Sequence, residues 1–345
     1  MKQIYSALTL LAVLGMALLG CGPSKPELYV YSWGGIFKPS VIEAFEKKHQ
    51  CIVHFNYYES NEAMYAKLKA GATGYDVLVP SSYFIQIMQD QDLIEKIHPE
   101  RIPNLKYLNQ DLLAKINAPY SPYCVPYSIG YTGIGYRKDK LPHLDHSWTV
   151  FSQKDLKGRM TMLNDRREVL GAALKTLGFS SNTTDAEEIK QAQELAIEWK
   201  RNLAKFEGEQ YKNGLNSAEY LLVQGFSLDV LQIQEENPNV DFFYPKEGVQ
   251  IFLDTLAIPA NAPSIDLAYQ FIDFLFEPEI AAENMAFICN LILNNAAYPL
   301  LSEKLRENPA LFIPEEMLLK SELILDLGKA IKLYNAAWEN ILEAD

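Results

Sequence analysis

The ten residues YSIGYTGIGY, Tyr127–Tyr136, mix β-forming side chains with three glycines. Glycine weakens a strand and often marks a bend, so this stretch predicts a strand that bends as it crosses between two domains. A second stretch of this kind, FLDTLAIP at Phe252–Pro259, lies more than a hundred residues later. Two separated crossing strands imply two lobes, each built from discontinuous segments of the chain and joined by hinge strands.

Strand-like and helix-like segments alternate on the N-terminal side of the first crossing strand. Their order predicts strands over Leu28–Ser32, Ile52–Tyr57 and Asp76–Val79, with helices between them over Val41–Lys48 and Ala63–Ala70. This alternation predicts mostly parallel sheets flanked by helices, and ligands bind beyond the carboxyl ends of such strands. We therefore expect the loops 33–39 and 80–83 to face a site.

Two later segments have the apolar periodicity of packing helices. One is Thr184–Phe206, in which Thr184 and Glu187 form a capping box, and the other is Leu327–Leu342. The whole pattern predicts an α/β protein of two lobes. We expect residues 27–130 and 254–303 to form the N-terminal lobe, and residues 131–253 and 304–345 to form the C-terminal lobe.

The N-terminus has the pattern of a bacterial export signal. Lys2 precedes an almost uncharged stretch, Ile4–Leu19, and small residues lead into Cys21. An apolar run of about sixteen residues is short for a transmembrane helix, which needs about twenty. The pattern predicts a signal peptide over residues 1–20 and lipidation of Cys21, which would anchor an extracytoplasmic or periplasmic protein to a membrane. The alternative is an ordinary signal peptide cleaved nearby, with Cys21 unmodified.

The chain is acidic, with 44 Asp and Glu residues against 31 Lys and Arg residues and a net charge of −13. Such a charge argues against nucleic acid as a partner, because nucleic acids are bound through basic surfaces. A negative field also favours the capture of a cationic solute, although acidity by itself can serve solubility alone.

Known catalytic and metal-binding signatures are missing from the sequence. It contains no GxSxG, HExxH, P-loop or strand-linked GxGxxG motif. The close histidines His143 and His146 lie on a proline-containing loop, which is a poor metal site. Cys51, Cys124 and Cys289 are widely spaced, so buried thiols are the simplest interpretation and at most one disulfide can form. We expect no enzyme activity, no metal and no cofactor.

Aromatic, acidic and hydroxyl residues recur at predicted loop and strand-end positions. The candidates are Trp33 and Phe37, Ser81 and Tyr83, Asp165 and Glu168, Phe226 and Asp229, and Phe252 and Asp254. Structural roles could explain them as well. Asp165 and Glu168 fit the N-cap and N3 positions of a helix, the phenylalanines could belong to the core, and Asp254 could brace a hinge.

Several longer stretches resemble the bacterial spermidine/putrescine-binding proteins of the periplasmic-binding-protein superfamily. They are YVYSW (29–33), YESNEAMYAKLKAG (58–71), YDVLVPSSY (75–83), NDRREV (164–169), NTTDAEEI (182–189), YPKEG (244–248) and FLDTLAIPANA (252–262). The similarity covers nearly the whole chain after the export signal. It implies a type II two-lobe fold, a polyamine ligand such as putrescine or spermidine, and an ABC importer with permease and ATPase components as partners.

The resemblance also implies roles for the candidate residues. Trp33, Tyr83, Phe226 and Phe252 would form an aromatic box, with Phe37 filling a neighbouring space. The negative charges would come from Asp165, Glu168, Asp229 and Asp254, and Ser81 would be a polar contact. Aromatic faces suit such a ligand because they bury methylene groups and attract cations.

Some positions depart from the family pattern. Phenylalanine replaces tryptophan at Phe226 and Phe252, and Asn290 and Ile324 stand where tyrosine and a polar residue are expected. Asp229 matches the acidic position of putrescine-selective relatives. This match leads to the hypothesis that putrescine is bound at least as well as spermidine.

The residues leave two alternatives open. A hydrolase or transferase could use Asp165 and Glu168 for acid–base chemistry, but both acids belong to one helix start and would lie on the same side of a ligand. A binding protein of the same fold could instead take another solute, such as a metal or an anion. For an anion, Arg166 and Arg167 are the cations closest to the candidate residues.

Overall fold

The computed structural model describes residues 25–208 and 210–344. The predicted signal peptide, residues 1–20, and the predicted lipidation site Cys21 lie outside the described residues. Within these two ranges, no helix is both long and apolar enough to cross a membrane.

Strands and helices alternate along the described chain, as the α/β pattern predicts. The strands are β1 Glu27–Ser32, β2 Ile52–Tyr57, β3 Val77–Leu78, β4 Val125–Arg137, β5 Met160–Leu163, β6 Lys205–Glu207, β7 Leu222–Phe226, β8 Val240–Phe243, β9 Gln250–Leu256, β10 Leu291–Ile292 and β11 Glu322–Leu323. The α-helices are α1 Pro39–His49, α2 Asn61–Lys69, α3 Ile85–Gln89, α4 Gln110–Lys115, α5 Arg166–Thr176, α6 Ala186–Lys200, α7 Tyr211–Ser217, α8 Ser227–Glu236, α9 Ile265–Leu275, α10 Pro278–Ile288, α11 Glu303–Arg306, α12 Glu315–Leu318 and α13 Ile331–Glu343.

The first sheet is parallel and has the order β2-β1-β3. Its central strand carries Leu28 and Val30, which are fully buried and belong to the same core as Val41 and Phe45 of α1. Pro39 begins α1, a position where the missing proline N–H costs no helical hydrogen bond. The βαβ pattern of the sequence therefore produced the predicted arrangement.

The second sheet is larger and mixed, with the order β11-β9-β4-β7-β5-β6. β5 runs parallel to β6 and β7, and β11 runs parallel to β9. β4 is antiparallel to all its partners, β7, β8, β9 and β10. Parallel pairs therefore lie on both sides of β5 and between β9 and β11, while the long strand β4 forms the antiparallel pairs.

β4 and β9 occupy the positions of the two predicted crossing strands. Along β4 the partner changes from β10, which pairs with Ser128 and Ile129, to β7, which pairs with Thr132 to Tyr136. At the end of β9 and beyond it, Asp254 and Ala257 form isolated bridges to Ser81 and Leu78 beside the first sheet. Both strands therefore run from one half of the molecule into the other. The lobe boundaries given above remain a prediction.

One helix prediction was wrong in its limits. The N-cap of α6 is Asp185, whose carboxylate accepts hydrogen bonds from the backbone N–H groups of Glu187 and Glu188, so Thr184 does not form the predicted capping box. The helix ends at Lys200, and Phe206 lies in β6, where it pairs with Met162. Strand pairing with β5 overrides the helical periodicity in this segment.

Candidate ligand-binding cleft

One face of β4 collects the candidate residues from both neighbouring strands. Three directly opposed pairs lie along it: Ser128 with Asp254, Gly130 with Phe252, and Thr132 with Phe226. Side chains alternate between the faces of a strand, and directly opposed residues of antiparallel strands share a face. The aromatic and acidic candidates of β7 and β9 are therefore on the same side of the sheet.

A glycine makes room for the aromatic pair on this face. A Cβ atom at Gly130 would lie 2.1 Å from Cζ of Phe252, so the ring covers the glycine backbone. The rings of Phe252 and Phe226 meet edge to face, with centroids 5.4 Å apart and an interplanar angle of 83°. Both side chains are half-buried, which leaves part of each ring available to a ligand.

Asp254 is a buried carboxylate with little compensation. It is 8% exposed and accepts a 3.2 Å hydrogen bond from Oγ of Ser81. Burial raises its pKa to about 7, and the bond from Ser81 acts in the opposite direction. A buried carboxylate with one neutral donor is well suited to receive a cation.

Asn61 holds Ser81, the hydrogen-bond donor to the Asp254 carboxylate. The sequence does not identify Asn61 as a site residue. Its Oδ1 accepts the backbone N–H of Ser81 at 3.0 Å, and its Nδ2 donates to Ser81 Oγ and to the hydroxyl of Tyr83, both at 3.1 Å. The network connects Tyr83 to Asp254. Asn61 lies inside one of the family-like stretches, but nothing in the sequence pairs it with a loop twenty residues later.

Glu168 is the second buried carboxylate and is 3% exposed. Its Oε2 has no hydrogen-bond partner among the described residues. Burial, and to a smaller extent the charge of Asp165, raises its pKa to about 8, while Thr132 and Arg167 oppose the shift. Glu168 therefore stands beside Thr132 at the opposite end of the face from Asp254.

Asp165 has the capping role that its sequence position predicts. It is the N-cap of α5, and its Oδ1 accepts the backbone N–H groups of Arg167 and Glu168 at 2.7 and 3.2 Å. Glu168 is the N3 residue of the same helix. The capping interpretation is confirmed for this pair, and it leaves Glu168 free to point its carboxylate elsewhere.

Trp33 and Phe37 follow β1 in the chain and have different surroundings. Trp33 is half-buried against Tyr58, with ring centroids 4.6 Å apart, and its Nε1 has no hydrogen-bond partner among the described residues. Phe37 is buried among core rings at 5.7 to 6.0 Å, namely Phe55, Tyr127 and Phe271. The structure therefore buries Phe37 in the hydrophobic core.

Asp229 differs from the other two buried acids. Its Oδ2 accepts a hydrogen bond from the hydroxyl of Tyr211, and its Oδ1 lies 3.2 Å from Nζ of Lys212. Both oxygens of this carboxylate are thus engaged within the chain.

Asn290 also reaches the face of β4. Its Nδ2 donates to Oγ of Ser128 at 3.3 Å, and its buried Oδ1 has no partner among the described residues. In the sequence it appeared only as a departure from an expected tyrosine.

A cavity of about 340 Å³ lies beside two of the candidate residues, Tyr83 and Asp165. Tyr83 and Glu62 line it on one side, and Asp165 and Arg166 line it on the other. Nη2 of Arg166 donates to Oε1 of Glu62 at 2.6 Å, which forms an ion pair across the cavity. Arg166 is therefore committed to an acid.

Arg167, the other cation considered for an anion site, is used internally. Its guanidinium donates to the carbonyl of Leu325 at 2.8 Å and to Oδ1 of Asn182 at 2.7 Å. It also stacks over the ring of Tyr334 at 5.3 Å. Arg167 therefore has its hydrogen-bond partners within the chain.

The described part of the chain offers little support for metal binding or for reactive thiols. No group of three or more His, Cys, Asp or Glu side chains there could hold a metal ion. Cys51, Cys124 and Cys289 are free thiols, and burial raises the pKa of Cys124 to about 12. They are inert packing groups.

The model of one protein family, described as bacterial extracellular solute-binding protein, matches residues 40–313. The chain belongs to this family. It is therefore a solute-binding protein and not an enzyme, as the sequence predicts.

The relatives of this solute-binding protein agree with the predicted resemblance. It is 33% identical to the spermidine/putrescine-binding periplasmic protein of Escherichia coli, with 91% of each chain covered. It is 32% identical to the putrescine-binding periplasmic protein SpuD of Pseudomonas aeruginosa, with 99% of each covered. The crystal structure of the TpPotD lipoprotein of Treponema pallidum is 35% identical, has a TM-score of 0.84, and matches over 91% of this chain and 99% of that one. The type II two-lobe fold is confirmed.

Proposed function

We propose that this solute-binding protein holds a polyamine, spermidine or putrescine, on the face of β4 between its lobes. The observation that carries the proposal is the pair of buried carboxylates, Asp254 and Glu168, on either side of the Phe226–Phe252 pair. Burying a charge without a partner is costly, so each acid gains a compensating partner when an ammonium group arrives. The rings between them bury the methylene groups.

The spacing along β4 matches the distance between the terminal ammonium groups of a linear polyamine. The residues beside the two acids, Ser128 and Thr132, are four residues apart, which is about 13 Å at about 3.3 Å per residue. An extended spermidine chain, with bonds of about 1.5 Å, is about 11 Å long between its terminal nitrogens. A ligand of that length can reach both acids, while a short diamine reaches one acid and a nearer group.

The remaining candidates complete the proposed site. Ser81 and Asn61 orient Asp254, Tyr83 and Trp33 add aromatic walls on the side of the first lobe, and Asp165 adds negative charge near Glu168. Phe37 supports the first lobe from its core. Closure of the lobes over the ligand would be favoured because the ligand contacts both halves at once.

Calorimetric titration of the soluble chain without the lipidation site, residues 22–345, tests the proposal. We expect saturable binding of spermidine or putrescine and no heat with 1,4-butanediol, which has methylene groups but no charge. Asp254→Asn should weaken amine binding at least 100-fold, because an amide cannot compensate an ammonium charge. The matched control Asp145→Asn changes an exposed acid and should bind normally. If the wild-type protein gives no binding heat with either spermidine or putrescine, the proposal is contradicted.

We further propose an extracytoplasmic location, a lipid anchor on Cys21, and delivery of the ligand to the permease and ATPase of an ABC importer. The export pattern of residues 1–20 and the solute-binding family support this placement. In a bacterial host, Cys21→Ser should move the protein from the membrane fraction to the soluble fraction. Equal membrane association of both forms would contradict the anchor.

A further inference from the structure

The three buried acids among the candidate residues fall into two physical classes. Asp254 has one neutral donor and Glu168 has an oxygen without a partner among the described residues. Asp229 instead has a hydroxyl on one oxygen and an ammonium group on the other. Asp229 therefore already holds the kind of group that a polyamine would offer.

Lys212 is held at Asp229 by the local fold. It follows Tyr211 at the start of α7, and the Tyr211 hydroxyl both donates to Asp229 and accepts the backbone N–H of Phe226 at 3.2 Å. These contacts fix α7 to the end of β7, where Phe226 enters the candidate cleft. The ammonium of Lys212 is thus held at Asp229, which lies three residues along the chain from the aromatic candidate Phe226.

The exposure of the two partners is unequal. The side chain of Lys212 is 38% exposed, whereas that of Asp229 is 11% exposed. The lysine can return to water at small cost, but the carboxylate cannot. A competing cation can therefore replace Lys212 only if it compensates Asp229 equally well.

We propose that Lys212 is a specificity-determining residue that occupies Asp229 as an internal ammonium group and so disfavours short diamines. This inference rests on the proposed polyamine function. A diamine too short to span Asp254 and Glu168 needs a nearer second anchor, and Asp229 is the remaining buried acid of the candidate set. With Lys212 in place, that anchor is engaged, whereas spermidine does not need it.

The proposal reverses the expectation drawn from the sequence. The match of Asp229 to putrescine-selective relatives favours putrescine, but an acid that is already paired cannot give its full interaction to a ligand. We expect the wild-type protein to bind spermidine more tightly than putrescine, and expect the preference to depend on Lys212.

The test compares the ratio of putrescine to spermidine dissociation constants in four variants of the mature protein, measured by calorimetry. Lys212→Met keeps the aliphatic stem and removes the charge, and should shift the ratio about tenfold toward putrescine. Lys212→Arg keeps the charge and should leave the ratio unchanged. Lys138→Met, which removes a lysine 3.8 Å from Asp241 in the same lobe, is the matched control and should also leave it unchanged. In the double variant Lys212→Met/Asp229→Asn, the shift in the ratio of dissociation constants should disappear.

Each outcome is decisive for the role of Lys212. A shift of more than threefold in Lys212→Met that is lost in the double variant supports the proposal. A smaller shift, or an equal change for both amines, overturns it while leaving polyamine binding intact. If the wild-type protein binds neither amine, the proposed function itself fails, and the role of Lys212 falls with it. Thermal unfolding of each variant checks that the fold is retained.

Discussion

Asp254 and Glu168 have pKa values that burial raises to about 7 and about 8, so both titrate near neutral pH. An ammonium group pairs with the ionised form only, and amine groups stay protonated up to pH about 10. Ligand binding must therefore displace protons from these acids at low pH. We predict that polyamine affinity is at least tenfold weaker at pH 6 than at pH 8.

Calorimetry in two buffers of different ionisation enthalpy measures both effects, because the difference in heat reports the protons released. Asp145→Asn should show the same pH dependence as the wild-type protein, since that acid is exposed and is not among the candidate residues. Affinity that is constant from pH 6 to 8, or proton uptake on binding, would refute the assignment of these two acids as the ammonium partners.

Glu168 also affects stability in the absence of ligand. A carboxyl group whose pKa is raised on folding, here from 4.5 to about 8, binds its proton more strongly in the folded state. Its contribution is favourable below pH about 4.5 and is lost as pH rises toward about 8. We predict that Glu168→Gln stabilises the ligand-free protein by about 2 kcal/mol at pH 8.5 and by much less at pH 5.

Thermal unfolding at the two pH values measures this difference, which corresponds to a Tm increase of about 4 °C at pH 8.5. Glu194→Gln, on the exposed side of α6, is the control and should show no pH-dependent gain. If Glu168→Gln destabilises the protein equally at both pH values, Glu168 has a packing role instead of an electrostatic one.

At the scale of elements, β4 depends on close contact with β9. A side chain at Gly130 would collide with the ring of Phe252, which rests on the glycine backbone. We predict that Gly130→Ala costs about 1 to 3 kcal/mol of stability by overpacking. We also expect it to weaken polyamine binding more than tenfold, because the ring must move into the site.

Titration and thermal unfolding of Gly130→Ala should be compared with Gly208→Ala. A Cβ atom at Gly208 would have no heavy atom within 4 Å, and its backbone is not in the left-handed region. Normal polyamine affinity in Gly130→Ala would show that the Phe252 ring does not contact the ligand.

The sequence predicts helices and strands from patterns within a few residues, but it does not predict the contacts between these elements. β2 has the predicted limits, and Asp165 caps α5 as its spacing suggests, because both depend on neighbours a few residues away. The roles of Asn61 and Lys212 depend on partners about twenty residues away that only the packed structure brings close. The burial of Phe37 also follows from three rings of distant segments.

At the scale of the whole molecule, the ion pair between Glu62 and Arg166 joins the two sides of the cleft. Neither side chain is deeply buried, with 49% and 29% exposure respectively. Exposed pairs contribute about 0.2 to 1 kcal/mol, and salt weakens them. The pair can form only when the lobes are close, so it stabilises the closed state and not the first encounter with the ligand.

We therefore predict that Arg166→Met increases the dissociation rate of the polyamine about threefold at low salt and leaves the association rate nearly unchanged. Stopped-flow measurements at 50 mM and 500 mM salt separate the electrostatic part of the change in dissociation rate. The screening length is about 14 Å at the lower concentration and about 4 Å at the higher one. Glu62→Gln should have the same effect, and the double variant should add little to either single change. Lys246→Met breaks the pair with Asp145 inside one lobe and should leave both rates unchanged. An Arg166→Met protein that releases ligand at the wild-type rate would mean that ligand contacts alone hold the lobes together.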